Sequence, residues 1–287
     1  MNSFDIALVS LIEAALKEDI GSGDHSTLSC IPASQQGKAL LKIKQAGILA
    51  GVEVAKKIFN FIEPSAQFVA FKKDGDQMQV GETAFEITAT VHTILKGERL
   101  VLNCMQRMCG IATLTNRYTQ LLKGYHTRIL DTRKTTPNFR LLEKEAVKIG
   151  GGMNHRFGLY DMIMLKDNHI DYCGGIIEAI NQAYAYSNQL EKPLKIEVET
   201  RNLSDVELVC NKALNKVDRI MLDNFSPEAV SQALAIIQGR VETEASGGIN
   251  LTTIESFAKT GVDFVSVGGL IHQAQSLDLS LKASFMK

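Results

Sequence analysis

The sequence contains no CxxC pair, and its five cysteines (Cys30, Cys104, Cys109, Cys173 and Cys210) are odd in number. A zinc site and a disulfide framework are both disfavoured by that pattern; free thiols in a reducing compartment fit it better. Excess charge is also missing. The chain has 31 basic against 32 acidic side chains, with no basic tail and no acidic run. Nonspecific attraction to nucleic acid or to a membrane surface is therefore not expected. No apolar stretch is long enough to span a bilayer. The opening segment carries Asp5, Glu13, Lys17 and Glu18 at helix-like spacing. It lacks a basic start and a small-residue cleavage site, so it does not read as a signal peptide, and a cytoplasmic protein is expected. Repeats of fixed period and low-complexity tracts are absent too.

What is present is a chain of 287 residues, 45% apolar and 22% charged. That is enough for a sizeable core, and one large α/β domain plus a smaller one is the natural division. Residues 5–18 carry an amphipathic helical pattern that "GSGD" breaks. A strand or hairpin arm is expected over 38–51, strands flanking turns at "DGD" and "VG" over 67–78 and 82–91, a helix over 52–62, and a long helix over 95–125. In that long helix Gly110, Ala112 and Thr113 are small enough for close packing.

Beyond residue 127 the pattern changes. Short apolar runs at 127–131, 161–166, 194–199, 218–223, 240–246 and 263–268 alternate with helical stretches, which argues for βαβ units and a parallel sheet. No GxGxxG follows the first of these strands, so a dinucleotide-binding fold is disfavoured and a (β/α) barrel preferred.

Barrel enzymes build their sites at the carboxyl ends of the strands. Arg133 and Lys134 follow the first strand and Lys166 the second. The third ends in Glu197 and Glu199, and the fourth in Asp223. Ser246, Gly247 and Gly248 close the fifth, Gly268 and Gly269 the sixth. One glycine pair alone reads as a tight turn. Two on successive strands read as a phosphate cradle, where backbone N–H groups approach the oxygens. Arg133, Lys134, His155, Arg156 and Lys166 together suit a small, strongly anionic ligand, since arginine forks match carboxylates and phosphates. His169 reads as structural. Glu199 and Asp223 leave three readings open: Mg²⁺ held with a phosphate ligand, stabilisation of a cationic sugar, or simple pairing with the lysines.

"DTRKTTP", "GGGMNHRFGLYD", "KDNHI", "IEVET", "IMLDN", "EASGGI" and "TGVDFVSVGGL" resemble, in order, the signatures of the quinolinate phosphoribosyltransferase family. "EDIGSGD", "GILAG" and "ERLVLNCMQRMCGIAT" resemble its first domain and linking helix. The resemblance implies an incomplete (β/α) barrel over 111–273 with an N-terminal α/β sandwich domain over 1–110, on which the tail 274–287 packs. It implies transfer of phosphoribose from 5-phosphoribosyl pyrophosphate to quinolinate, with Mg²⁺, yielding nicotinate mononucleotide, pyrophosphate and CO₂. A homodimer or hexamer is implied as well, with Arg99 serving the partner's site. Arg133, Lys134, Arg156 and His155 resemble the residues that hold quinolinate, and Lys166 the lysine near ribose and pyrophosphate. Glu199 and Asp223 resemble the carboxylates near ribose and Mg²⁺, and with Lys134 they are implied to carry the chemistry. Ser246, Gly247, Gly248 and Gly268 resemble the 5-phosphate cradle, with His272 near it.

Asn138, Phe139, Cys109 and Gly269 depart from the family's usual residues without removing a needed charge. Three rivals are weighed. A non-catalytic paralogue linked to molybdenum transport is expected to lack the intact "KDNH". A nicotinate enzyme needs fewer cations. A phosphosugar isomerase needs a proton-shuttling pair that is not evident.

Overall fold

The computed structural model describes residues 3–284; residues 1–2 and 285–287, the ends of the expected first domain and of the tail, lie outside the described residues. Along the chain, α1 (Ser3–Ile20) and α2 (His25–Cys30) precede β1 (Gln36–Ile43), β2 (Gly47–Ile48) and α3 (Val52–Ile62). Next come β3 (Gln67–Ala70), β4 (Gln77–Met78), β5 (Thr83–Thr90) and the long α4 (Val91–Leu121). Strand β6 (Arg128–Leu130) is followed by α5 (Arg140–Ile149), β7 (Ile163–Leu165), α6 (Asp167–Cys173) and α7 (Ile176–Ser187). Then β8 (Ile196–Thr200), α8 (Leu203–Lys212), β9 (Arg219–Asp223) and α9 (Pro227–Ile237) alternate. The chain ends with β10 (Glu242–Ser246), α10 (Ile254–Ala258), β11 (Phe264–Ser266), α11 (Gly269–His272) and β12 (Leu279–Ser284).

Two compact units result. One takes in the described residues up to Asn116, Thr135–Gly151 and those from Leu270 onward; the other takes in Arg117–Lys134 and Gly152–Gly269.

In the first unit an antiparallel sheet has the order β12-β1-β5-β3, beside a short β2-β4 ladder. Strand β1 buries Ala39, Leu41 and Ile43 at every second position, while Lys38 on the other face reaches Glu86 at 2.8 Å. This period of two is what a half-covered sheet requires. Phe85 on β5 packs against Phe68 at 4.4 Å and edge-on to Phe59 of α3 at 6.4 Å between ring centres. Within 67–78 the strands β3 and β4 flank the turn expected at "DGD". Between them the Asp74 carboxylate turns back to accept the N–H of Val52 (2.8 Å) and of Glu53, capping α3, and Gly75 takes φ 93°.

Helix α4 follows β5 directly. A Cβ on Gly110 would lie 2.0 Å from the carbonyl oxygen of Gln275, so only glycine admits the returning chain there. Cys109 sits with Sγ 3.2 Å from the N–H of Ala50 and 3.4 Å from its carbonyl oxygen. Burial pushes the thiols of Cys104 and Cys109 up to about 12, so neither forms a thiolate at neutral pH. A thiol reagent on native protein is therefore expected to modify exposed Cys30 first and to reach Cys104 and Cys109 only after denaturation. Rapid labelling of Cys109 in the folded state would contradict this packing.

The second unit holds a parallel sheet of order β6-β11-β10-β9-β8-β7. Its first strand in sequence pairs with its last, which is the mark of a sheet curling toward a barrel. The opening falls between β6 and β7, and the connection there supplies Thr135–Gly151 to the other unit. Loop residue Met153 bridges Leu130 and lengthens the β6 edge. Helices α8 and α9 start where expected: Asn202 accepts from the N–H of Asp205 (2.9 Å), and Ser226 accepts from Ala229 with Pro227 in the first turn. No helix among the described residues is long and apolar enough to cross a membrane.

Candidate active site

The carboxyl ends of the six parallel strands carry most of the residues singled out in the sequence. Lys166 follows β7 and caps α6, a helix the sequence reading did not foresee. The Lys166 N–H donates to Nδ1 of His169 at 3.0 Å, so His169 shapes that helix start. Its ammonium reaches back to Glu199 near the end of β8, with Nζ 2.6 Å from Oε1. The other Glu199 oxygen accepts from the N–H of Asp167 at 3.3 Å. Glu199 is buried; Lys166 is about half exposed. Asp223 ends β9. Burial, and then the charge of Glu199, push its carboxyl above the ordinary range, against the pull of Lys166. Asn224 at φ 59° donates to it at 2.8 Å.

The other cations lie in the chain between β6 and β7, the two edge strands of the sheet. Arg133 and Lys134 follow β6; Arg133 is half-buried and Lys134 exposed. Arg156 is half-buried and donates to the carbonyl of Met162 at 3.1 Å. Burial first, and then the charge of Arg133, hold the Arg156 guanidinium below its usual value. An anion bound between the two arginines would offset the charge of Arg133 that Arg156 meets.

His155 does not face solvent. Its imidazole is enclosed, with Nε2 2.8 Å from Glu197 Oε2 and 3.4 Å from Glu244 Oε2. Arg219 on β9 donates from NH1 to Glu244 at 2.9 Å. Burial alone would lower the imidazole's pKa, but its bonds to Glu197 and Glu244 outweigh burial and raise it to about 9. Burial and the neighbouring charge of Glu244 raise the Glu197 carboxyl to about 7, whereas hydrogen bonds from His155 and Ser266 hold Glu244 low despite its burial. The four groups reach neutrality with one shared proton, carried either by the imidazole or by Glu197. The Arg156 N–H lies 2.7 Å from the imidazole Nδ1, which ties the arginine's backbone to that ring. Glu244 and Arg219 were not singled out in the sequence. The alternation in "ETEAS" shows which residues share a face but not that a charged face points inward.

At the last strands, Ser246 ends β10. Gly247 takes φ 93°, and a Cβ there would lie 2.1 Å from Asn224 Oδ1; Gly248 takes φ 66° with open space around it. Gly268 precedes Gly269, the first residue of α11. Gly247→Ala is expected to destabilise the protein by about 1–3 kcal/mol through strain at positive φ. Thermal unfolding would read this as a lowered midpoint, and an unchanged one would contradict it. Arg99, on α4, and His272 are exposed and belong to the other unit, so the structure of the barrel unit alone does not bring them to these residues.

The donors near the carboxylate wall suit Mg²⁺ in kind. Glu199 and Asp223 offer oxygen only, Asp223 is held partly against ionisation by Glu199, and a hard cation would relieve that repulsion. Among the described residues, three acid or imidazole side chains converge only at His155, Glu197 and Glu244. There a guanidinium already neutralises the charge, so that cluster does not invite a cation.

A barrel that gathers cations and carboxylates at its strand ends and closes two further strands with glycine turns has the build of an enzyme joining an anionic acceptor to a phosphorylated sugar. Comparison with known proteins makes the assignment specific. Residues 24–109 match the quinolinate phosphoribosyl transferase N-terminal domain and residues 111–282 its C-terminal domain. The chain is 41% identical to the probable nicotinate-nucleotide pyrophosphorylase [carboxylating] of Bacillus subtilis, over 96% of this chain and 93% of that one. It is 41% identical to the chloroplastic nicotinate-nucleotide pyrophosphorylase [carboxylating] of Arabidopsis thaliana, over 96% and 82%. The crystal structure of NadC from Streptococcus pyogenes superposes over all of both chains with a TM-score of 0.92 at 41% identity. The chain belongs to the quinolinate phosphoribosyltransferase family.

Proposed function

We propose that this protein transfers the phosphoribosyl group of 5-phosphoribosyl pyrophosphate to the ring nitrogen of quinolinate, releasing pyrophosphate and CO₂ and leaving nicotinate mononucleotide for NAD synthesis. The observation that carries the reading is the nearness of Arg133 to Arg156, within the field of Glu199, which pairs with Lys166 and acts on Asp223. Quinolinate has two carboxylates, and two guanidinium forks with Lys134 beside them match that charge. In this reading His155 orients the loop that carries Arg156.

Ribosyl transfer breaks the bond from the anomeric carbon to pyrophosphate, and the carbon becomes cationic. Glu199 and Asp223 stabilise that charge, and Lys166 receives the departing anion. The ring nitrogen supplies the electron pair for the new bond and becomes a pyridinium. Loss of the 2-carboxylate as CO₂ leaves its bonding pair on C2, beside the positive nitrogen, and a proton then fills that position. Lys134, which follows β6, is assigned to this stage. Mg²⁺ held by Glu199 and Asp223 would neutralise pyrophosphate. Ser246, Gly247, Gly248 and Gly268 serve the 5-phosphate.

A homodimer or hexamer with Arg99 reaching the partner's site is part of this proposal, as is a cytoplasmic location, which suits five free thiols. The intact "KDNH", with Lys166 bonded to Glu199, favours an enzyme over a non-catalytic paralogue. The test is nicotinate mononucleotide formation from the two substrates with Mg²⁺, repeated after EDTA treatment. Turnover that EDTA abolishes and Mg²⁺ restores supports the reading. A folded protein without turnover under these conditions would overturn it.

A further inference from the structure

We propose that Glu197 and Glu244, with Arg219, are positioning residues for quinolinate: they hold His155 from beneath and thereby set Arg156 at the mouth of the barrel. This rests on the reading of Arg156 as a quinolinate clamp.

The geometry runs through one side chain. The backbone of His155 is anchored at the first strand: its N–H donates to Asp131 Oδ1 at 2.9 Å, just beyond the bridge between Leu130 and Met153. Its imidazole is held from other strands, by Glu197 on β8 and Glu244 on β10. The sheet order places β11 between β6 and β10, and β9 between β10 and β8. His155 therefore ties the loop at the open edge to strands of the far wall. Arg156 follows at once in sequence, and its own N–H is bound to the same imidazole at 2.7 Å. A shift of the ring shifts the arginine.

The floor itself is fixed. Arg219 donates to Glu244 and to Glu242, each at 2.9 Å, and its guanidinium lies 4.1 Å from the centre of the Phe264 ring. Glu197 and Glu244 are fully buried, and each keeps one oxygen, Oε1, without a hydrogen-bond partner among the described residues.

Stability does not explain such a cluster. Taking carboxylates and a guanidinium out of water costs several kcal/mol per ion, and well-packed apolar residues do as well or better. Barrel interiors are filled mainly by branched aliphatic side chains. A buried ionic layer in that position buys orientation instead. It also acts on charge: Glu197 is, with Asp161 and Glu199, one of the negative groups that favour the charged form of Arg156 against burial and Arg133. The clamp is thereby kept cationic before its substrate arrives.

The test compares Glu244→Gln and Glu197→Gln, which keep shape and remove charge, with Arg156→Ala and the unaltered enzyme. KM is measured separately for quinolinate and for 5-phosphoribosyl pyrophosphate, alongside thermal midpoints. The expected result is a rise of about tenfold or more in the quinolinate KM, with the other KM within about twofold and kcat lowered less than the quinolinate affinity. A lowered midpoint with both KM values unchanged would show a merely structural role and overturn the proposal. Should a single variant not fold, the charge-balanced double replacement Arg219→Met with Glu244→Leu removes the floor without stranding a charge, and the same rise in quinolinate KM is expected; an unchanged KM there overturns it as well. Arg156→Ala separates the two levels. If it leaves the quinolinate KM unmoved, the clamp reading itself fails. If it raises that KM and the floor variants do not, only the present inference fails.

Discussion

Arg156→Ala is expected to lower kcat/KM for quinolinate by about two to three orders of magnitude, within the roughly 2–5 kcal/mol lost when one partner of a desolvated charge pair is removed. The guanidinium is held by the Met162 carbonyl and by the loop pinned to His155, so little side-chain ordering remains to oppose binding. Truncation removes one of the two forks and leaves Arg133, with Lys134, to hold a dianion. Repulsion between the arginines disappears in the free protein, so the variant should fold at least as well as the original while binding worse. Affinity for 5-phosphoribosyl pyrophosphate should be unaffected. Steady-state kinetics with each substrate varied in turn checks this, and equal losses for both substrates would contradict the assignment.

Glu199→Gln is expected to have its effect on kcat, with a loss of about 10²–10³, the scale on which removal of one oriented stabilising group acts at a developing charge. The replacement keeps the side chain's volume and its carbonyl for the N–H of Asp167, so the fold should survive. What goes is the negative charge, from the anomeric carbon's surroundings and from Lys166 at 2.6 Å. Because those two act as a unit, removing Lys166 as well should cost less than the product of the single losses. Single-turnover measurements on Glu199→Gln, Lys166→Met and the double variant check the coupling. A Glu199→Gln enzyme with unchanged kcat would contradict a role for this carboxylate in the ribosyl step.

Much of this site was legible in the sequence because barrel strands end in register with their chemistry. An apolar run followed by a polar residue, repeated six times, places Lys166, Glu199, Asp223 and Ser246 at one rim without any knowledge of long-range contacts. Burial was not legible in the same way. His155 stands beside Arg156 in the chain, yet one side chain is enclosed under the mouth and the other lines it. Neither residue type nor spacing says which. Glu244 and Arg219 sit in strands where alternation marks a face but not its direction, so an inward charge looks like an outward one until its partners are seen. Helix α6 was missed because "KDNH" has no apolar periodicity; its start is fixed by hydrogen bonds among Lys166, Asp167, His169 and Glu199.

The reading turns on a site built for two carboxylates rather than one. The most direct measurement is the ratio of kcat/KM for quinolinate to that for nicotinate, with 5-phosphoribosyl pyrophosphate and Mg²⁺ held the same. Nicotinate mononucleotide and CO₂ from quinolinate, with no measurable product from nicotinate, is the predicted result. Comparable turnover of nicotinate would contradict it, since Arg133 and Arg156 would then not be answering the charge of the acceptor.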